Sequence, residues 1–131
     1  MKIDGDLMEE DIIIIEKFMS YMNDHGVISV HERTAKDIKE LTVVEDVMPG
    51  VRVEWSREYT MGIPWHPRDS IRFIHTDHNI SWTAHFHTGV NNETVFVRFA
   101  GRSFVPVMDD IAFLKLKFSD YDHQNWLCPR G

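Results

Sequence analysis

Sulfur chemistry is nearly absent from this sequence. The 131 residues contain one cysteine, Cys128, so the chain can form neither an internal disulfide nor a cysteine-only zinc site. A lone thiol fits a reducing compartment, and the expected location is the cytosol. Long apolar runs are also missing. The longest is Ile12 to Ile15, far short of the roughly 18 residues that a membrane-spanning helix needs. The opening "MKIDGDLMEED" is acidic and lacks the basic, then apolar, then small-residue order of a secretory signal. Basic residues are in deficit, with 14 Lys and Arg against 21 Asp and Glu and a formal charge of -7. A nucleic-acid binder gains affinity by neutralising phosphates with an excess of cations, so that partner class is disfavoured. The motifs G-x-x-x-x-G-K-[ST], G-x-G-x-x-G, C-x-x-C and G-x-S-x-G do not occur, which removes the usual parts of phosphate-cradling and covalent mechanisms.

What is present is enough for one core. Hydrophobic residues make up 43% of the chain, including four tryptophans and eight phenylalanines, and the length suits a single domain spanning 1–131. Asp6 and Glu9 resemble a capping box. After them, Leu7, Met8, Ile12, Ile15, Phe18, Met19 and Met22 recur at steps of three and four. That spacing predicts an amphipathic helix over about 7–23, stopped by Gly26. "AKDIKEL" reads as a second helix over about 30–41.

From Val51 the period changes to two. Val51, Val53 and Trp55 alternate with Arg52, Glu54 and Ser56, predicting a half-buried strand. Gly62, Pro64 and Pro67 mark 61–69 as a loop, and 70–76 resumes the strand pattern. "TDHN" at 76–79 supplies a turn. Ile80, Trp82, Ala84 and Phe86 then alternate with Ser81, Thr83, His85 and His87, and Val95, Val97 and Phe99 with Thr94, Phe96 and Arg98. "AFLKLKF" within 109–118 alternates too and reads as a last strand, against Asp109 and Asp110, which look like helix-start acids. The tail 119–131 has little periodicity and is expected to pack through Trp126 with its end loose. The expected fold class is α+β, with two N-terminal helices packed on one face of a four- to six-stranded antiparallel meander over about 51–118.

Two clusters bear on function. His85 and His87 are two apart in a strand pattern, hence on one face and roughly 7 Å apart, and Glu93 returns after a short turn. Two imidazoles and a carboxylate suit iron, manganese or zinc with positions open to substrate. The run His85, His87, Glu93, Gly101 is similar to the first motif of the cupin barrels, over about twenty residues. The resemblance implies a metal site, although a cupin barrel begins with strands rather than helices. "HTDH" at 75–78 has His-x-Asp spacing, but a turn explains Asp77 and His78. The second cluster is the polar strand face, with Arg72, Arg98, Thr83, His85 and His87 near Phe96. Arginine and imidazole beside an aromatic ring suit an anionic ligand, nucleotide-like, or the acidic patch of a partner protein. Trp65, in "GIPWHPR", is of the type most enriched at interface hot spots.

The sequence thus favours a small acidic accessory or inhibitor-type binding protein that occupies a partner protein or an anionic small ligand, with no cofactor. Its binding residues would be Arg72, Arg98, Trp65, Thr83, His85 and His87. Free sheet edges make a dimer plausible. The alternative is a metal-dependent enzyme holding a divalent transition metal at His85, His87 and Glu93.

Overall fold

A computed structural model describes residues 2–5, 7–25, 27–33, 37–60, 63–88, 94–101 and 104–121. Within these, the side chains at 4, 27–33, 37–38, 45–47, 59–60, 63–67, 88 and 104–105 are outside the description. The elements run β1 (Lys2–Asp4), α1 (Glu9–His25), β2 (Val27–Arg33), β3 (Asp37–Met48), β4 (Val51–Thr60), β5 (Ile63–His75), β6 (Ile80–Thr88), β7 (Thr94–Gly101) and α2 (Phe104–Phe118). The sheet order is β1-β7-β6-β5-β4-β3-β2. Strands β2 to β7 pair antiparallel in succession. β1 joins the far edge parallel to β7 and makes the sheet mixed.

The sheet is thus seven-stranded and mixed, and draws on residues well before 51, rather than a four- to six-stranded antiparallel meander over about 51–118. Four further points of the expected architecture are corrected. The helices are one near each terminus, not both N-terminal. Within 30–41, the described residues 30–33 and 37–41 are strand, because Val27, Ile28 and Val30 pair with Val43, Thr42 and Glu40, and tertiary pairing of β-branched residues outweighs the helical character of "DIKEL". "DDIAFLKLKF" is helix. Val107, Ile111, Leu114 and Phe118 are buried at steps of four, three and four, whereas Leu116, which completes the strand-like alternation, is 89% exposed. Finally, β5 starts at Ile63, so Pro64 and Pro67 lie in a strand. They are tolerated because β6 pairs with β5 only from Arg68 onward; the preceding segment has a neighbour on one side, where a missing N–H costs least.

α1 forms for the reason its spacing gives. Ile12, Ile15, Phe18, Met19 and Met22 are fully buried. The Asp11 carboxylate accepts the Met8 N–H at 3.0 Å, while the Met8 carbonyl accepts the N–H groups of Asp11 and Ile12. Met8 is therefore the N-cap, and the acid three residues on satisfies its donor. The proposed cap Asp6, Gly26 and the tail including Trp126 and Cys128 lie outside the described residues.

Both helices lie on one face of the sheet. Phe18 meets Phe73 at 5.9 Å and Phe118 at 5.0 Å between ring centres. Phe73 and Trp82 stack at 4.1 Å. Between the helices, Lys115 Nζ lies 3.0 Å from Asp11 Oδ1. Two glycines have steric reasons. Gly50 has φ +72° in the turn after β3, where its carbonyl accepts both the N–H and the hydroxyl of Thr76. Gly101 faces Trp82 so closely that a Cβ would sit 2.8 Å from the Trp82 Cβ.

The helix-covered face also carries two buried polar groups of residues. Arg57 and Asp69 are paired across β4 and β5, with Nε to Oδ1 at 2.9 Å and Nη2 to Oδ2 at 3.1 Å. The Arg57 guanidinium stands 4.8 Å over the Trp55 ring. On α2, Asp110 Oδ2 accepts the Trp82 indole N–H at 2.7 Å and lies 2.8 Å from His75 Nε2. Burial pushes the Asp110 carboxyl above the usual carboxylate range, with the hydrogen bonds from Trp82 and His75 pulling the other way. This contact fixes α2 to the end of the sheet.

Candidate functional site

The opposite face of the sheet has no helix over it among the described residues. Register decides what it displays. In an antiparallel pair, residues directly opposite point to the same side, and Ser56 pairs with Ser70, Ser70 with His85, and His85 with Arg98. These four form one row across β4 to β7. A second row, one pleat along, runs Lys39, Glu58, Arg68, His87, Phe96. Together with the edges of Asp69 and Phe86, the two rows line an open cleft of about 660 Å³.

The charges in the cleft are unevenly compensated. Glu58 lies 3.8 Å from Lys39 Nζ and 3.7 Å from Arg68 Nη2, so one carboxylate serves two cations. Arg98 is exposed and, among the described residues, makes no ion pair. At the backbone it is paired with Asp4 of β1, whose side chain is outside the description. Asp69 is held by Arg57 on the far side of the sheet and adds no net charge to the cleft. The lining therefore carries a cationic excess in a chain whose formal charge is -7.

His85 is the most constrained side chain on this face. Its Nδ1 is 2.9 Å from Ser70 Oγ. Burial, the Arg98 guanidinium and His87 each lower its pKa from the usual imidazole value. These causes favour the neutral ring over the charged one, and the Ser70 hydroxyl, which can donate or accept, fixes the ring through Nδ1. His87 packs its ring 5.3 Å from that of Phe96, inclined at 54°, so an aromatic surface borders the imidazoles.

Of the residues singled out from sequence, His85, His87 and Arg98 line the cleft. Thr83 and Arg72 are paired with each other on the same face, one pleat beyond, and Arg72 Nη2 donates to Ser81 Oγ at 3.4 Å. The Trp65 side chain lies outside the described residues, as does Glu93. No group of three His, Cys, Asp or Glu side chains suited to a metal occurs among the described residues. His75 sits on the other face against Asp110, so it does not join His85 and His87. An open sheet with helices on one face is not a cupin barrel, and the motif likeness around His85 does not extend to the fold.

Lys39, Ser56, Glu58, Arg68 and Ser70 were not indicated by the sequence. Lys39 was assigned to a helix and Arg68 to a loop, and neither has a strand face until those assignments change. Ser70 could have been found from the "TDHN" turn, since folding 70–76 back on 80–87 about that turn brings it opposite His85.

No helix among the described residues is long and apolar enough to cross a membrane. No protein-family model, curated protein or solved structure matches the chain.

Proposed function

We propose that this is an accessory or inhibitor-type binding protein, which acts by occupying an anionic group through the helix-free face of its sheet. One observation carries the reading: Lys39, Arg68 and Arg98 converge on a cleft where Glu58 is the only acid they share among the described residues, in a chain that is otherwise strongly acidic. Evolution of a merely solvated face gives no reason to concentrate cations there, whereas a ligand with negative charge does. The overall charge repels extended polyanions, so the target is a small anion or an acidic group of limited extent on a partner protein. Arg72 and Thr83 extend the same surface and Trp65 belongs to the same assignment. A reducing compartment such as the cytosol suits the single cysteine.

The test is a thermal-unfolding series with sulfate, phosphate and citrate, since anything that binds only the folded form raises its apparent stability. The midpoint should rise with phosphate in the wild type and not in the Arg68→Ala, Arg98→Ala double variant. An equal rise in both, as general salt exclusion gives, discards the reading.

A second reading rests on the two imidazoles lining one cleft. With Glu93 as third donor they would make a 2-His-1-carboxylate enzyme site for a divalent transition metal. Elemental analysis of protein purified without added metal separates the two. A stoichiometric metal lost in His85→Ala, His87→Ala would establish the second over the first.

A further inference from the structure

The anion-binding reading leaves the chemistry of the ligand open, and the layout of β7 narrows it. Resting on that reading, we infer that the cleft takes a phosphate monoester carried on a planar ring, in the size class of a nucleoside 5′-monophosphate. Arg98 and Phe96 are two residues apart on one strand, hence on one face and about 7 Å apart along it. Each has a companion on β6: His85 is paired with Arg98 and His87 with Phe96. The site is thus divided into a guanidinium–imidazole half and an aromatic half. The phosphate to base distance in a nucleoside monophosphate is of the same order as that separation.

The two halves suit different parts of such a ligand. In the first, Arg98 presents a planar fork of donors matched to phosphate oxygens, and the ring of His85, its Nδ1 engaged by Ser70 at 2.9 Å, lines the cleft directly opposite it. In the second, Phe96 is half-buried and is, with Phe86, one of the two aromatic carbocycles lining the cleft. Its ring, inclined to that of His87 at 54°, borders the cleft and offers a surface on which a flat ring can stack. A carboxylate ligand would use the first half and leave the second empty. An uncharged aromatic would do the reverse. Only a ligand with both parts, joined by a linker of sugar length, occupies the whole.

The experiment is calorimetric titration of the full chain with adenosine 5′-monophosphate, inorganic phosphate, adenosine and a phosphotyrosine peptide as probes. Adenosine 5′-monophosphate should bind at least about tenfold tighter than phosphate, the contribution expected of one stacked base. Phe96→Ala should remove most of that advantage while lowering phosphate affinity far less, and Phe96→Tyr should retain it. Arg98→Ala should weaken both phosphates. Circular dichroism and unfolding midpoints of each variant establish that the fold persists. Equal affinity for adenosine 5′-monophosphate and phosphate overturns the inference while leaving anion binding standing. Tighter binding of the phosphotyrosine peptide overturns it in favour of a protein-borne group. Absence of binding by every anion removes the underlying reading as well.

Discussion

The two faces of this sheet are built from the same strands and differ in what happens to their polar groups. On the helix-covered face, the polar side chains are few and tightly matched. Arg57 and Asp69 hold each other bidentately, and Asp110 takes hydrogen bonds from two directions. On the bare face, the charges are many and loosely matched, with one glutamate shared by two cations and, among the described residues, no ion pair at Arg98. Removal from water penalises an unmatched charge on the first face, and Arg57, Asp69 and Asp110 are matched accordingly, while solvent on the second allows a cation to wait for a partner. The first face accordingly sets stability and the second is available for recognition.

The largest effect that would test this division lies at the buried ion pair. Asp69→Ala removes both hydrogen bonds that the buried Arg57 guanidinium makes to this carboxylate and should cost about 3–5 kcal/mol, measured by denaturant unfolding. Replacing both partners by apolar residues of similar volume should recover much of that loss. If Asp69→Ala costs no more than Arg72→Ala on the bare face, the two faces are not energetically distinct.

Asp110 gives the next effect. Asp110→Ala leaves the Trp82 N–H without its acceptor and should cost about 1–3 kcal/mol. Asp110→Asn keeps an acceptor and should cost less. The pH dependence sharpens this. Because the folded-state pKa of Asp110 lies above its unfolded value, the folded chain binds that proton more tightly. The associated stability is complete below the ordinary carboxyl range and is lost as pH rises through the raised value. Asp110→Asn should therefore gain on the wild type as pH rises through that window. The opposite trend would mean that the hydrogen bonds to the carboxylate outweigh its burial.

On the bare face the effect is on titration rather than on folding. The His85 pKa is depressed, so the unfolded chain takes up the proton first. That contribution to stability is present above the ordinary imidazole value and is lost as pH falls through and below it. Arg98→Ala removes one cause of the depression and should move the His85 titration, followed by NMR, back toward the ordinary value. A bound dianion should do the same, so sulfate affinity should rise with acidification in the wild type and change less in His85→Gln. A titration of His85 that ignores both Arg98 and sulfate would separate the imidazole from the cleft.

How much of this was legible beforehand depends on where the information lies. The core of α1 and the alternation in β4 and β6 are local patterns, and they carried the shared face of Thr83, His85 and His87. The pairing of β2 and β3 was not legible, because Asp37, Lys39 and Glu40 look helical in isolation and only their pairing with β4 overrides it. In α2 the misleading residue was Leu116, whose exposure breaks the apparent period of two. Arg57–Asp69 and Trp82–Asp110–His75 depend on register and on helix docking. Neither is encoded in any window short enough to read by eye.

The first strand has a consequence for the order of assembly. Lys2, Ile3 and Asp4 pair with Phe96, Val97 and Arg98, residues far on in the sequence, so β1 meets its partner strand only by closing a loop that contains α1 and strands β2 to β6. Closing so large a loop carries an entropic penalty that neighbouring hairpins avoid. Those three residues are consequently expected to pair late and to open early, which exchange of the β1 amides would report. They make that edge, the one bordering Arg98, the natural point at which the native structure begins to open.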